Sequence, residues 1–102
     1  MNVWYFNEKI PDELHGSKDY IKRAIEISPM HAPWAKQLVE MSANELEHAT
    51  MLYKMFQEYY AKMEAEYPKE MPDYIKDAYT KVSEEFTKCS AEIKILHEVY
   101  KR

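Results

Sequence analysis

Residues Trp34 to Tyr59 read WAKQLVEMSANELEHATMLYKMFQEY, and this stretch decides the fold. Trp34, Leu38, Met41, Glu45, His48, Leu52, Met55 and Tyr59 recur in alternating steps of four and three, the spacing that keeps one helix face against a partner. The stripe is apolar except at Glu45 and His48, which the spacing turns inward. An unpaired carboxylate and imidazole in two successive buried layers would lose hydration at a cost of several kcal/mol, so a compensating group is expected there. A metal ion is the most economical one. The structural alternative is a buried polar layer that fixes helix register or oligomeric state.

Outward from this stretch, prolines divide the chain. Pro11, with Asp12 and Glu13 after it, suits a first helical turn and predicts helix 1 over about residues 11–27. Its inward positions are Glu13, Ser17, Tyr20, Ala24 and Ile27, widened by Leu14, Ile21 and Ile25. Gly16, Ser17 and Ala24 are small enough to let a neighbouring helix approach closely. Pro29 and Pro33 make residues 28–33 a turn, after which helix 2 runs over about 33–66 and Tyr67-Pro68 ends it. Helix 2 is roughly 50 Å long at 1.5 Å per residue, so its far half needs another partner. Helix 3, over about 72–101, carries an unbroken seam of Ile75, Tyr79, Val82, Phe86, Cys89, Ile93, Leu96 and Tyr100 and is the natural candidate for that role. The expected architecture is all-α, a helical hairpin plus a long C-terminal helix in one domain.

The chain has 102 residues, 14 of them basic and 18 acidic, for a net charge of −4. Both signs are interspersed, which argues against nucleic acid as the main ligand. No segment offers the roughly 20 apolar residues that span a bilayer, and the apolar run over residues 1–6 is too short for a signal-peptide core. A lone cysteine, Cys89, reads as a buried free thiol. A soluble, cytoplasmic protein is expected, one that gains from a partner chain because its helices bury only one face each.

Glu45 and His48 are one helical turn apart, close enough for a carboxylate oxygen and an imidazole nitrogen to ligate one ion. Glu13 on its own reads as an acid complementing the positive end of helix 1. Together, Glu13 to Tyr20 (ELHGSKDY) and Glu45 to Phe56 (ELEHATMLYKMF) resemble the first two helices of rubrerythrin-like, ferritin-like proteins. The resemblance implies a metal-ligating Glu13, a Glu45–His48 ligand pair followed by a small residue, Ala49, and Tyr20 as a hydrogen-bonding neighbour of the metal. A complete ferritin-like chain repeats this set on two further helices. Helix 3 has no Glu-x-x-His, since His97 follows Lys94 at that spacing. Short ferritin-like chains, such as those carried in encapsulin compartments, solve this by forming a two-fold dimer whose hairpins complete one four-helix bundle.

Two copies of Glu13, Glu45 and His48 supply four carboxylates and two imidazoles, which balance two divalent irons. Such oxygen and nitrogen donors suit iron or manganese better than structural zinc. Glu85 and Glu92, flanking the helix 3 seam, are further ligands or acceptors for the other nitrogen of His48, or else simple flanking charges. His15 and His31 are expected to face solvent. The resulting expectation is a homo-oligomeric di-iron carboxylate protein that oxidises ferrous iron with dioxygen or peroxide, for storage or peroxide handling, whether or not a shell protein encloses it. Two rivals stand beside it. One is a non-enzymatic bundle that docks a partner around a buried polar layer; the other is a three-helix monomer holding one metal.

Overall fold

A computed structural model describes residues 2–67 and 69–102; Met1 and Pro68, the proline expected to close helix 2, lie outside the described residues. Three helices follow in order, α1 (Val3–Ile27), α2 (Ala32–Glu66) and α3 (Asp73–Lys101), with no strand among the described residues. No helix is long and apolar enough to cross a membrane. The molecule is a rod 57 Å long. α1 packs along both other helices, whereas α2 and α3 meet mainly through long aromatic side chains.

α1 starts two turns earlier than Pro11 suggested. The Asn2 side chain caps it by accepting from the Tyr5 N–H at 3.1 Å, and Pro11 falls inside the helix. An internal proline removes one helical hydrogen bond and costs about 3 kcal/mol. Val3, Phe6 and Ile10, all buried, recover this, since each fully buried side chain of this kind contributes about 1.5–3 kcal/mol. Phe6 stacks on Phe56 at 4.8 Å and lies against Tyr59. The extended α1 therefore covers the far half of α2 together with α3, whose Tyr79 and Phe86 pack on Phe56, Tyr60 and Tyr53.

The buried line of α1 is Val3, Phe6, Ile10, Leu14, Ser17, Ile21 and Ala24. Glu13, Tyr20 and Ile27, expected at its centre, sit half-buried at its edge. α2 shows a matching shift of one residue. Its buried positions are Ala35, Ser42, Ala49 and Phe56, a seven-residue spacing, while Trp34 is 60% exposed and Met41 and Met55 are each 42% exposed. Small side chains let the two backbones come close, and the bulkier neighbours do not fit in that gap. On α3 the expected seam holds: Val82 and Ile93 are buried, and Ile75, Tyr79, Phe86, Cys89, Leu96 and Tyr100 are half-buried. Burial raises the pKa of the Cys89 thiol, in keeping with an unreactive core cysteine.

Two apolar clusters result. The larger holds Phe6, Ile10, Leu14, Phe56, Val82 and Ile93; the smaller, at the α1–α2 turn, holds Ile21, Ala24 and Ala35. Between them lies a polar layer. Ser17 Oγ donates to the Ser42 carbonyl and Ser42 Oγ donates to the Ser17 carbonyl, each at 2.7 Å. Both hydroxyl protons are thereby used, so the 2.9 Å bond between Ser42 Oγ and His97 Nε2 requires the imidazole to be the donor.

Phe56→Ala should cost about 3–5 kcal/mol in denaturant unfolding, and a loss under about 1 kcal/mol would place Phe56 outside the core. A second expectation concerns acid. Burial, with Lys101 nearby, holds the His97 imidazole below its ordinary 6.5. The unfolded chain therefore binds the proton more readily, and this share of stability is complete above the ordinary value and lost as pH falls below it. His97→Gln should flatten that loss, read as the difference between variant and wild-type unfolding midpoints from about pH 7.5 to about pH 5.

Candidate metal centre

α1 and α2 run antiparallel, and the register that pairs Ser17 with Ser42 brings Glu13 opposite Glu45. Glu13, Glu45 and His48 each offer a ligating atom, all within 4.8 Å of one another. The Glu13 side chain is 12% exposed, and its Oε2 lies 3.7 Å from His48 Nδ1. Glu13 Oε1 meets Lys9 Nζ at 3.5 Å, whereas Oε2 is buried with no hydrogen-bond partner. Glu45 lies over Gly16; a Cβ built there would stand 3.4 Å from Glu45 Oε2, in ordinary contact.

The two carboxyl groups titrate apart. The Glu13 carboxylate beside it, helped by burial, raises the pKa of Glu45. Glu45 in turn lowers that of Glu13, and Lys9 and His48 add to the effect. Two like charges this close cannot both ionise cheaply, and Glu45 is the member of the pair that takes up a proton more readily. A cation bound between them would relieve the same repulsion and would also satisfy Glu13 Oε2. The donor set of two carboxylates and an imidazole fits a hard or borderline divalent ion such as iron or manganese.

His48 is not inside the chain's own core: its side chain is 56% exposed. It shares an exposed edge of α2 with Trp34, Met41 and Met55, seven residues apart in turn. Tyr20 is half-buried beside a surface groove lined by Arg23, Glu26 and Leu38, and no hydrogen bond joins it to the three clustered residues among those described. Glu85 and Glu92 are not brought to the cluster. Glu85 Oε1 bonds His15 Nε2 at 3.1 Å and Glu92 Oε2 bonds Lys18 Nζ at 2.6 Å, so both serve to dock α3 on α1. That pairing lowers the Glu92 pKa and raises the Lys18 pKa. His15 is exposed, as expected, and His31 caps α2 by accepting from the Trp34 N–H while its ring stacks on the indole at 3.7 Å.

Residue spacing marks Gly16 and Ser17 as points of close helix approach but misses what they meet, Glu45 and Ser42, and it misses Lys9 beside Glu13 altogether. The signal for the close approach was present in the small residues on facing helices, which leave no apolar periodicity of their own. No protein-family model, curated protein or solved structure matches this chain.

Gly16→Ala should stabilise the fold by roughly 0.5–1 kcal/mol, because alanine is the better helix former and its methyl meets Glu45 at ordinary contact distance. Thermal melting checks this, and a loss of stability would mean that Glu45 packs more tightly on α1 than described.

Proposed function

We propose that the chain is a ferritin-like di-iron carboxylate protein that takes ferrous iron as substrate and oxidises it, binding the ions between two protomers through Glu13, Glu45 and His48. The observation that carries this reading is Glu13 Oε2, a buried carboxylate oxygen without a donor, set within reach of Glu45 and of a His48 that opens to the surface. A buried acceptor left unpaired is costly, and a cation removes that cost.

Iron, when bound, supplies the electron that dioxygen or peroxide takes up. The protein's own part is acid–base and electrostatic. Glu13 and Glu45 would hold the ion through carboxylate oxygens and His48 through a ring nitrogen, any proton on Glu45 leaving as the ion binds, while Lys9 balances the Glu13 charge when no ion is present. A shared site explains why the imidazole faces outward along the line of Trp34, Met41 and Met55: a second copy of the same face would cover those side chains and bring two more carboxylates and an imidazole. The same exposed apolar line also suits a non-enzymatic assembly protein, and metal uptake separates the two readings.

His48→Ala should abolish tight binding of ferrous or manganous ion, because it removes the one nitrogen donor of the set; unchanged metal-to-chain stoichiometry would sink the assignment. Metal should also raise the thermal midpoint with concentration and tighten a dimer. Glu45→Gln with His48→Leu should give a metal-free dimer at least as stable as the apo wild type, since it removes repelling buried carboxylates. Sedimentation with and without metal measures both effects, and a wild-type chain that stays monomeric while binding metal would favour one ion per chain.

A further inference from the structure

We infer that Ser17 and Ser42 are positioning residues for the metal ligands, a reciprocal clamp that sets the α1–α2 gap at which Glu13 and Glu45 meet; this rests on the metal-binding reading above. The clamp is one turn from the carboxylates on both helices, Ser17 four residues after Glu13 and Ser42 three residues before Glu45. Each hydroxyl reaches the backbone carbonyl of the other helix at 2.7 Å, and the two hydroxyl oxygens are 3.1 Å apart. A one-carbon side chain can do this only where the facing backbones nearly touch, at the close end of the roughly 8–10 Å common between helix axes. Both residues are fully buried.

The bonds also fix register. A slide of one residue along either helix breaks both at once and leaves two buried hydroxyls unpaired, which a plain small-residue contact would tolerate. Ala24 and Ala35, at the turn end of the same interface, achieve burial without any such bond. His97 of α3 completes the lock, because its Nε2–H occupies the Ser42 oxygen at 2.9 Å and opposes rotation of that hydroxyl away from Ser17. In the next turn the narrow gap forces Glu45 over Gly16 and against Glu13. Ligand sets lose affinity when their oxygens are displaced by a fraction of an ångström, so a gap set by two directional bonds serves the carboxylates better than one set by packing alone.

The test is manganous-ion affinity, measured by chelator competition, on wild type, Ser42→Val, Ser42→Val with Ser17→Gly, and Val82→Ala. Ser42→Val wedges the helices apart and should weaken binding about 10- to 100-fold, the range typical when the support of a ligand is lost. Adding Ser17→Gly removes the side chain opposite the wedge but restores neither bond, so affinity should stay weakened, while the thermal midpoint falls further because glycine weakens the helix. Val82→Ala, a buried change on α3, should lower the midpoint with affinity unchanged, so affinity follows the serine bonds and not stability, which a merely structural role would not produce. Wild-type affinity in Ser42→Val, or recovery to within about threefold in the double variant, which would mean that packing alone sets the gap, would overturn the clamp. Should Ser42→Val fail to fold by circular dichroism, Ser42→Ala decides instead: about tenfold weaker binding supports the clamp and unchanged binding overturns it. A wild-type chain that takes up no manganous ion would overturn the metal reading itself and the clamp with it.

Discussion

The close approach of α1 to α2 is the constraint on which the rest of the molecule depends. Ala35, Ser42 and Ala49 line the face of α2 that α1 covers, and opposite them stand Ala24, Ser17 and Ile10. Small side chains bury little apolar area, so this contact is not what makes the chain fold. Phe6, Phe56, Leu14 and Ile21 supply most of that stabilisation, in proportion to the apolar surface they remove from water. The narrow gap instead determines where everything else goes. It excludes Trp34, Met41 and Met55 to the outside, it places Glu45 over Gly16, and it leaves α3 to pack chiefly against α1.

The coarse architecture was legible because its signals are local. Proline punctuation and the break after residue 66 mark three helices, and the large apolar residues of α3 repeat without a gap from Ile75 to Tyr100. The start of α1 was not legible, since Pro11 followed by two acids is a strong helix-start signal. Only a tertiary fact overrides it: Val3, Phe6 and Ile10 find Phe56 and its neighbours. The one-residue rotation of α2 had a different cause. Periodicity weights bulky side chains, and here alanine and serine occupy the inside while tryptophan and methionine stand outside.

The candidate site divides in the same way. Glu45 and His48 are one turn apart on one helix, so their proximity follows from helical geometry. Glu13 needed the second helix and its register, and seen alone it was an ordinary acid of a first helical turn. Glu85 and Glu92 had the right residue type and face, yet Lys18 and His15 compete for them. Which cation an exposed carboxylate meets depends on helix rotation and side-chain reach, neither of which is written in residue spacing. His97 is the clearest case of a role set by tertiary context. As a single histidine following a lysine it carries no ligand pattern, yet it closes the hydrogen bonds of a buried serine pair.

The two faces of α2 carry different physics, and the site stands at their boundary. One face buries Ala35, Ser42, Ala49 and Phe56 against α1; the other leaves Trp34, Met41, Met51 and Met55 in solvent. Glu13 and Glu45 are half-buried at the edge of the first face, and His48 belongs to the second. In a carboxylate pair at such a boundary one member takes up a proton more readily than the other, while the pair stays open to the surface on one side. Deeper burial would hold both groups neutral and closed to ions, and full exposure would let water and salt screen them apart. The rotation that puts bulky apolar side chains outside is thus the same rotation that leaves the imidazole accessible, so the exposed apolar line and the open edge of the Glu13–Glu45–His48 cluster are one structural consequence of small residues facing α1.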